Sequence, residues 1–160
     1  MQTCFQQDTP AGEPLFSVDQ LESIGNKKLY SWWSQQANND IPCWDDFNIL
    51  AFMKYADSLT MTERVSDKCF QFKIQGEKTL DLLGRNRLHK AVITPDHPEE
   101  YERELFSYYE MVCRTGLAHC YKGSIPKIGR DLSFFESVDL PFCDSNGQVN
   151  KILSILAELD

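Results

Sequence analysis

The sequence predicts an α+β domain: a five-stranded antiparallel sheet with helices packed on one face and an additional helix at the N-terminus. Three observations predict it. Apolar residues alternate with polar ones over residues 59–65 and again over 70–74, which is the period of a strand. Between 99 and 114 the period becomes helical. From 117 onward the alternation of strands returns and runs to the end of the chain. The order is therefore helices, two strands, helices, three strands, and a sheet with helices laid against it satisfies that order.

Taken element by element, residues 1–17 carry Pro, Gly and polar residues and read as a flexible lead-in, with a single domain over 18–160. Ser17 to Gln20 has the S-x-x-Q form of a capping box. Leu21 and Ile24 begin a short helix that Gly25-Asn26 interrupts, and Asn26 caps a second start from Lys27 to about Ala37. Leu29, Trp32, Trp33 and Gln36 follow helical spacing there. Adjacent tryptophans cannot share one helix face. One is expected in the core, and the other against a partner chain or another element. Asp45 and Asp46 are placed to cap a helix through Phe47, Leu50, Ala51 and Lys54.

Leu59 to Val65 and Phe70 to Ile74 make a hairpin about Ser66-Asp67-Lys68, with one buried face. Gly76 to Gly84 has a short helical pattern. Asp96 and Glu99 form a D-x-x-E capping pair with Pro98 in the first turn, and the helix that follows runs to about Arg114. Tyr101, Leu105, Tyr108 and Val112 line its apolar stripe, and Gly116 ends it. Leu117–Ile125 and Leu132–Leu140 read as strands, and Asp144-Ser145-Asn146-Gly147 as a turn. Val149–Leu159 reads as the last strand, although ILSILAEL also fits a helix.

Composition bounds the function. With 160 residues, 42% hydrophobic and 12% aromatic, the chain suits one domain with a real core. A formal charge of −8, from 24 acids against 16 bases, argues against a nucleic acid partner and against docking on an anionic membrane. The one basic cluster, Arg85, Arg87, His89 and Lys90, reads as a solvated loop. No apolar run approaches the length of a bilayer span, and MQTCFQQDTPAGEPLF has neither the basic region nor the apolar core of a signal peptide. The six cysteines fall at wide, irregular spacings without C-x-x-C. They are expected as reduced thiols in a cytoplasmic protein, with no metal site.

Four collinear segments carry a resemblance: LYSWWSQQ, IPCWDDFNI, FQFKIQGEKTLDLLGRN and GRDLSFFESVDLPFCDSNGQVNKILSIL. Together they spread from Leu29 to Leu156, and the set resembles the PAS-like domain family of alphaproteobacteria. The resemblance implies a PAS-like α+β sandwich with an extra N-terminal helix. It also implies a role in sensing or in signalling through protein partners. The chain departs from the family pattern after Gly84-Arg85-Asn86, where a second glycine is usual and Arg87-Leu88-His89-Lys90 stands instead.

No catalytic constellation is legible. The nucleotide-binding glycine motifs and the reactive-cysteine helix of a flavin photoreceptor are missing. His119 and Cys120 are strand neighbours and point to opposite faces. Asp45-Asp46 and Glu99-Glu100 sit at helix starts, where acids stabilise the dipole. The expected ligand-binding positions are Phe72, Tyr109, Tyr121 and Phe134, as aromatics between sheet and helices, with His89 as the one place for a haem ligand. Glu136 joins them as a carboxylate on the apolar face of Phe134 and Val138. Such a carboxylate anchors a polar ligand, pairs with Lys73 or Arg130, or lies at an exposed edge. Bulky residues more often fill such a space than leave it open, so no tightly held cofactor is expected. Trp32 and Trp33 are the expected interface, for a protein partner or a second copy of the chain. The function expected is a non-enzymatic, PAS-type sensory or signalling module, and the competing expectation is a small enzyme on the same sandwich.

Overall fold

The computed structural model describes residues 12–37, 40–83, 92–127 and 130–159. The strands are β1 (Glu13–Pro14), β2 (Leu59–Ser66), β3 (Cys69–Gln75), β4 (Val92–Ile93), β5 (His119–Lys127), β6 (Arg130–Cys143) and β7 (Val149–Leu159). The helices are α1 (Ile24–Ala37), α2 (Glu77–Leu83) and α3 (Glu100–Thr115), with 3-10 segments at Val18–Gln20, Trp44–Asp46 and Ile49–Ser58. The class is α+β, as the sequence predicts. The strands form one antiparallel sheet in the order β1-β5-β6-β7-β2-β3-β4.

The sheet has seven strands rather than five. The two additions are edge pieces of two residues each, too short for a period of two to show in the sequence. β1 pairs Glu13 with Cys120 and Pro14 with His119, and β4 pairs Val92 with Gln71 and Ile93 with Phe70. Short strands of this kind shield the open edges of a sheet, and an edge is where proline is tolerated. Part of the expected flexible lead-in, residues 12–17, lies among the described residues and contains β1. Leu15 is buried and its N–H donates to the Ala118 carbonyl at 2.8 Å. Residues 1–11, and the basic cluster of Arg85, Arg87, His89 and Lys90, lie outside the described residues.

The helices do not all lie on one face. On the first face, α1 places Leu29, Tyr30 and Trp33 over Leu59 and Met61 of β2, Val138, Leu140 and Phe142 of β6, and Leu153 and Ile155 of β7. The second face carries the alternate residues of the same strands. There α3 places Phe106, Tyr109 and Val112 over Phe70 and Phe72 of β3 and Ile152 of β7. The additional N-terminal helix is thus the cover of the opposite face. For the same reason the hairpin of β2 and β3 has no solvated face at its base: Leu59 to Thr62 are all buried.

Local chemistry explains the boundaries that differ from the pattern. The capping box at Ser17 and Gln20 forms, but around a single 3-10 turn. Gly25-Asn26 does not interrupt α1. Ser23 Oγ accepts the Asn26 N–H at 3.3 Å, and Gly25 fits because a Cβ there would stand 2.9 Å from the Tyr55 ring. Asn48, not Asp45 or Asp46, caps the 3-10 segment Ile49–Ser58, which kinks at Phe52 to bury that ring. At α3 the Glu99 side chain makes no cap, and His97 Nδ1 accepts the Glu99 N–H at 3.1 Å. Gly116 ends the helix in the left-handed region at φ 65°. Asp144 and Gly147 close the β6–β7 turn, and ILSILAEL is strand.

Candidate functional site

A cavity of about 100 Å³ lies between the second sheet face and α3. Its floor is Asp139 of β6, which is 3% exposed. Strand register builds this floor. Asp139 pairs directly with Ser154 of β7, and Ser137 is two residues back on the same face. Ser154 Oγ donates to Asp139 Oδ1 at 2.6 Å, Ser137 Oγ to Oδ2 at 3.1 Å, and the Tyr108 hydroxyl of α3 to Oδ2 at 2.5 Å. Phe72, Tyr109, Tyr121 and Phe135 form aromatic walls, with Tyr121 stacked on Phe135 at 5.7 Å between centroids. Thr60 of β2 and Thr79 of α2 also line it. Both are buried, and neither hydroxyl has a hydrogen-bond partner among the described residues. Buried hydroxyls are normally paired, so two unpaired ones facing the same space mark it as a place for a polar guest.

Burial raises the Asp139 carboxyl above its ordinary value, opposed by the hydrogen bonds from Ser154, Tyr108 and Ser137 and by the nearby His119. Burial, then the Asp139 charge, pushes the Tyr108 hydroxyl well above its own ordinary value. A raised acid keeps its proton in the folded chain over a pH window in which the unfolded chain has lost it. The folded state then binds more protons, and stability falls as pH rises through the window. The window opens near the ordinary aspartate value of about 4. Asp139→Asn has no such proton. In urea unfolding from pH 4 to 7, the stability difference between the variant and the natural chain should therefore move in favour of Asn as pH rises. A difference that stays constant with pH would contradict this placement.

Of the positions expected from the sequence, Phe72, Tyr109 and Tyr121 line the cavity. Phe134 does not: it is 50% exposed on the alternate face of β6. Glu136 shares that alternate face, fully buried against the start of α1. Its Oε2 accepts the Glu22 N–H at 2.8 Å, and its Oε1 accepts the Ser23 N–H at 3.0 Å and the Asn26 amide at 2.9 Å. Lys122 stands 3.7 Å away, whereas Lys73 pairs with Glu63. Glu136 therefore fastens α1 to the sheet rather than anchoring a ligand. His89 lies outside the described residues. His119 is buried on the cavity face with Nδ1 2.8 Å from the Leu117 carbonyl and its ring edge-on to Tyr108, so it does not meet Glu136.

Both tryptophans of the expected interface pack within their own chain. Trp33 is buried and its Nε1 donates to the Pro141 carbonyl at 2.9 Å. Trp32, half-buried, packs against Phe47, Phe52 and Phe142 of its own chain. The large apolar side chains standing in solvent include Ile24, Leu50 and Met53 instead. Sequence reasoning missed Asp139, Tyr108, Ser137, Ser154, Thr60 and Thr79 as site residues. The signal was the polar half of the alternation in β6: once both faces are covered, Ser137 and Asp139 must face an interior.

None of the protein-family models and none of the curated proteins compared with the chain matches it. No helix among the described residues is long and apolar enough to cross a membrane.

Proposed function

We propose that the chain is a cytoplasmic, PAS-type sensory module that binds a small ligand between α3 and the sheet and passes the signal on through protein contact. The observation that carries this reading is the cavity itself, with a buried Asp139 and the unpartnered hydroxyls of Thr60 and Thr79 in its wall. The order of helices, two long strands, helices and three long strands is the order the PAS resemblance implies, and the two edge strands leave it intact. A route outward also exists. The Tyr108 hydroxyl binds Asp139, while its ring lies so close to Gly12 that a Cβ there would stand 2.4 Å from it. A guest that displaces Tyr108 moves the segment leading into β1.

Binding rather than catalysis is favoured by the state of the reactive groups. Asp139 is already engaged by three hydroxyls, and burial keeps the Tyr108 hydroxyl protonated. Burial pushes the Cys113 thiol up to about 11 and the Cys120 thiol up to about 12, which leaves neither a nucleophilic thiolate near pH 7. At about 100 Å³ the cavity is smaller than the roughly 300 Å³ at which drug-sized sites begin, so a haem or flavin ring does not fit it.

The test is a thermal-shift screen of small molecules against the natural chain and Thr79→Leu, which fills the cavity from α2. Ligands of the site should raise the melting temperature of the natural chain and leave the variant unmoved. Equal shifts in both would place binding elsewhere and remove the basis of the reading.

A further inference from the structure

We infer that the cavity selects a small protonated amine, one ammonium group on a short apolar body. This rests on the reading of the cavity as a ligand site and names its ligand class. The first argument is charge. Asp139 lies at the floor and Glu104 of α3 at the exposed rim, and no Lys, Arg or His is among the described lining residues. The three groups bonded to Asp139 are neutral hydroxyls, and it makes no ion pair among the described residues. Apart from the nearby His119, no cationic group among the described residues meets this buried carboxylate, so a cationic guest offsets the cost of burying it, while an anionic guest adds to it.

The second argument is the donor and acceptor inventory. An ammonium carries three donors and no acceptor. Asp139 and the hydroxyl oxygens of Thr60 and Thr79 are acceptors on the cavity wall, and the two hydroxyls have no partner of their own among the described residues. A quaternary ammonium would leave these acceptors unused, so the fit is to a primary or secondary amine. The third argument is the wall. Tyr101, Tyr108, Tyr109, Tyr121, Phe72 and Phe135 surround the space, and aromatic rings attract a desolvated cation while packing an apolar chain. The last argument is size. A dry cavity of ~150 Å³ holds a benzene ring, so about 100 Å³ suits a body of about four carbons.

Three four-carbon probes of differing charge separate the alternatives: n-butylammonium, 1-butanol and butyrate, each titrated calorimetrically into the full chain at pH 7. Butylammonium should bind at least about tenfold more tightly than butanol, since hydrogen bonds to charged groups are the stronger class, and butyrate should not bind. Asp139→Asn should cut butylammonium affinity about tenfold and leave butanol unchanged. Should that variant fail to fold, Thr79→Val keeps the shape, removes one acceptor, and should weaken butylammonium about threefold. Butanol or butyrate binding as tightly as butylammonium would overturn the amine class while leaving the cavity a ligand site. If none of the three binds, both the class and the site fall.

Discussion

Replacing Glu136 by alanine is expected to cost the fold about 4 kcal/mol, since it leaves three donors around the start of α1 without their charged acceptor, at roughly 1–3 kcal/mol each. The substitution strands two backbone N–H groups at the start of α1 and the Asn26 amide, while Lys122 keeps its pair with Glu22 at 3.6 Å. Helix N-termini favour a negative partner, and here the partner comes from a strand more than a hundred residues away in sequence, so the bond ties α1 to the sheet. Glu136→Gln should recover only part of the loss, because its amide turns a donor towards a donor. Urea unfolding at pH 7 checks the energy, and the melting temperature should fall by about 10 °C at the few degrees per kcal/mol usual for this size. A loss below about 1 kcal/mol, the level of an exposed pair, would mean that Glu136 is not the fastening described.

Trp33→Ala is expected to cost a similar amount, about 4 kcal/mol, within the range for truncating a buried aromatic. The ring fills the first face of the sheet, stacks on Tyr30 at 6.4 Å, and its Nε1 satisfies the Pro141 carbonyl. Trp33→Phe keeps most of the packing and loses the hydrogen bond, so it should cost nearer 1 kcal/mol for that bond, plus a small packing loss. The oligomeric state by light scattering should be the same for the natural chain and the Phe variant. A change in mass with little change in stability would return Trp33 to the role of an interface residue.

These residues also show what was legible in the sequence. Periods of 2 and 3.6 located every long strand and α3, and Gly116 and Asp144–Gly147 marked their ends, because those signals are local. The number of covered faces is not local. An alternating strand such as Phe134 to Leu140 reads as one buried face and one wet one. In the sheet the polar half of that alternation, Ser137 and Asp139, looks into the cavity, while Glu136 on the other side is sealed beneath α1. Both roles depend on where helices far away in sequence come to rest. Gly25-Asn26 misleads for the same reason, since the pair looks like a break until Tyr55 and Glu136 are in place. Phe72, Tyr109 and Tyr121 were legible because bulky aromatics on core-facing stripes border whatever space the core leaves.

The most direct test of the ligand site is an amide-shift titration of the isotopically labelled chain with a pool of small organic fragments, followed by the single best binder. The account predicts saturable, one-to-one shifts concentrated at Thr60, Thr79, Tyr108, Tyr109, Asp139 and Ser154, with smaller ones at Gly12 to Leu15. Shifts centred on α1 and Glu136, or scattered shifts that do not saturate, would contradict it.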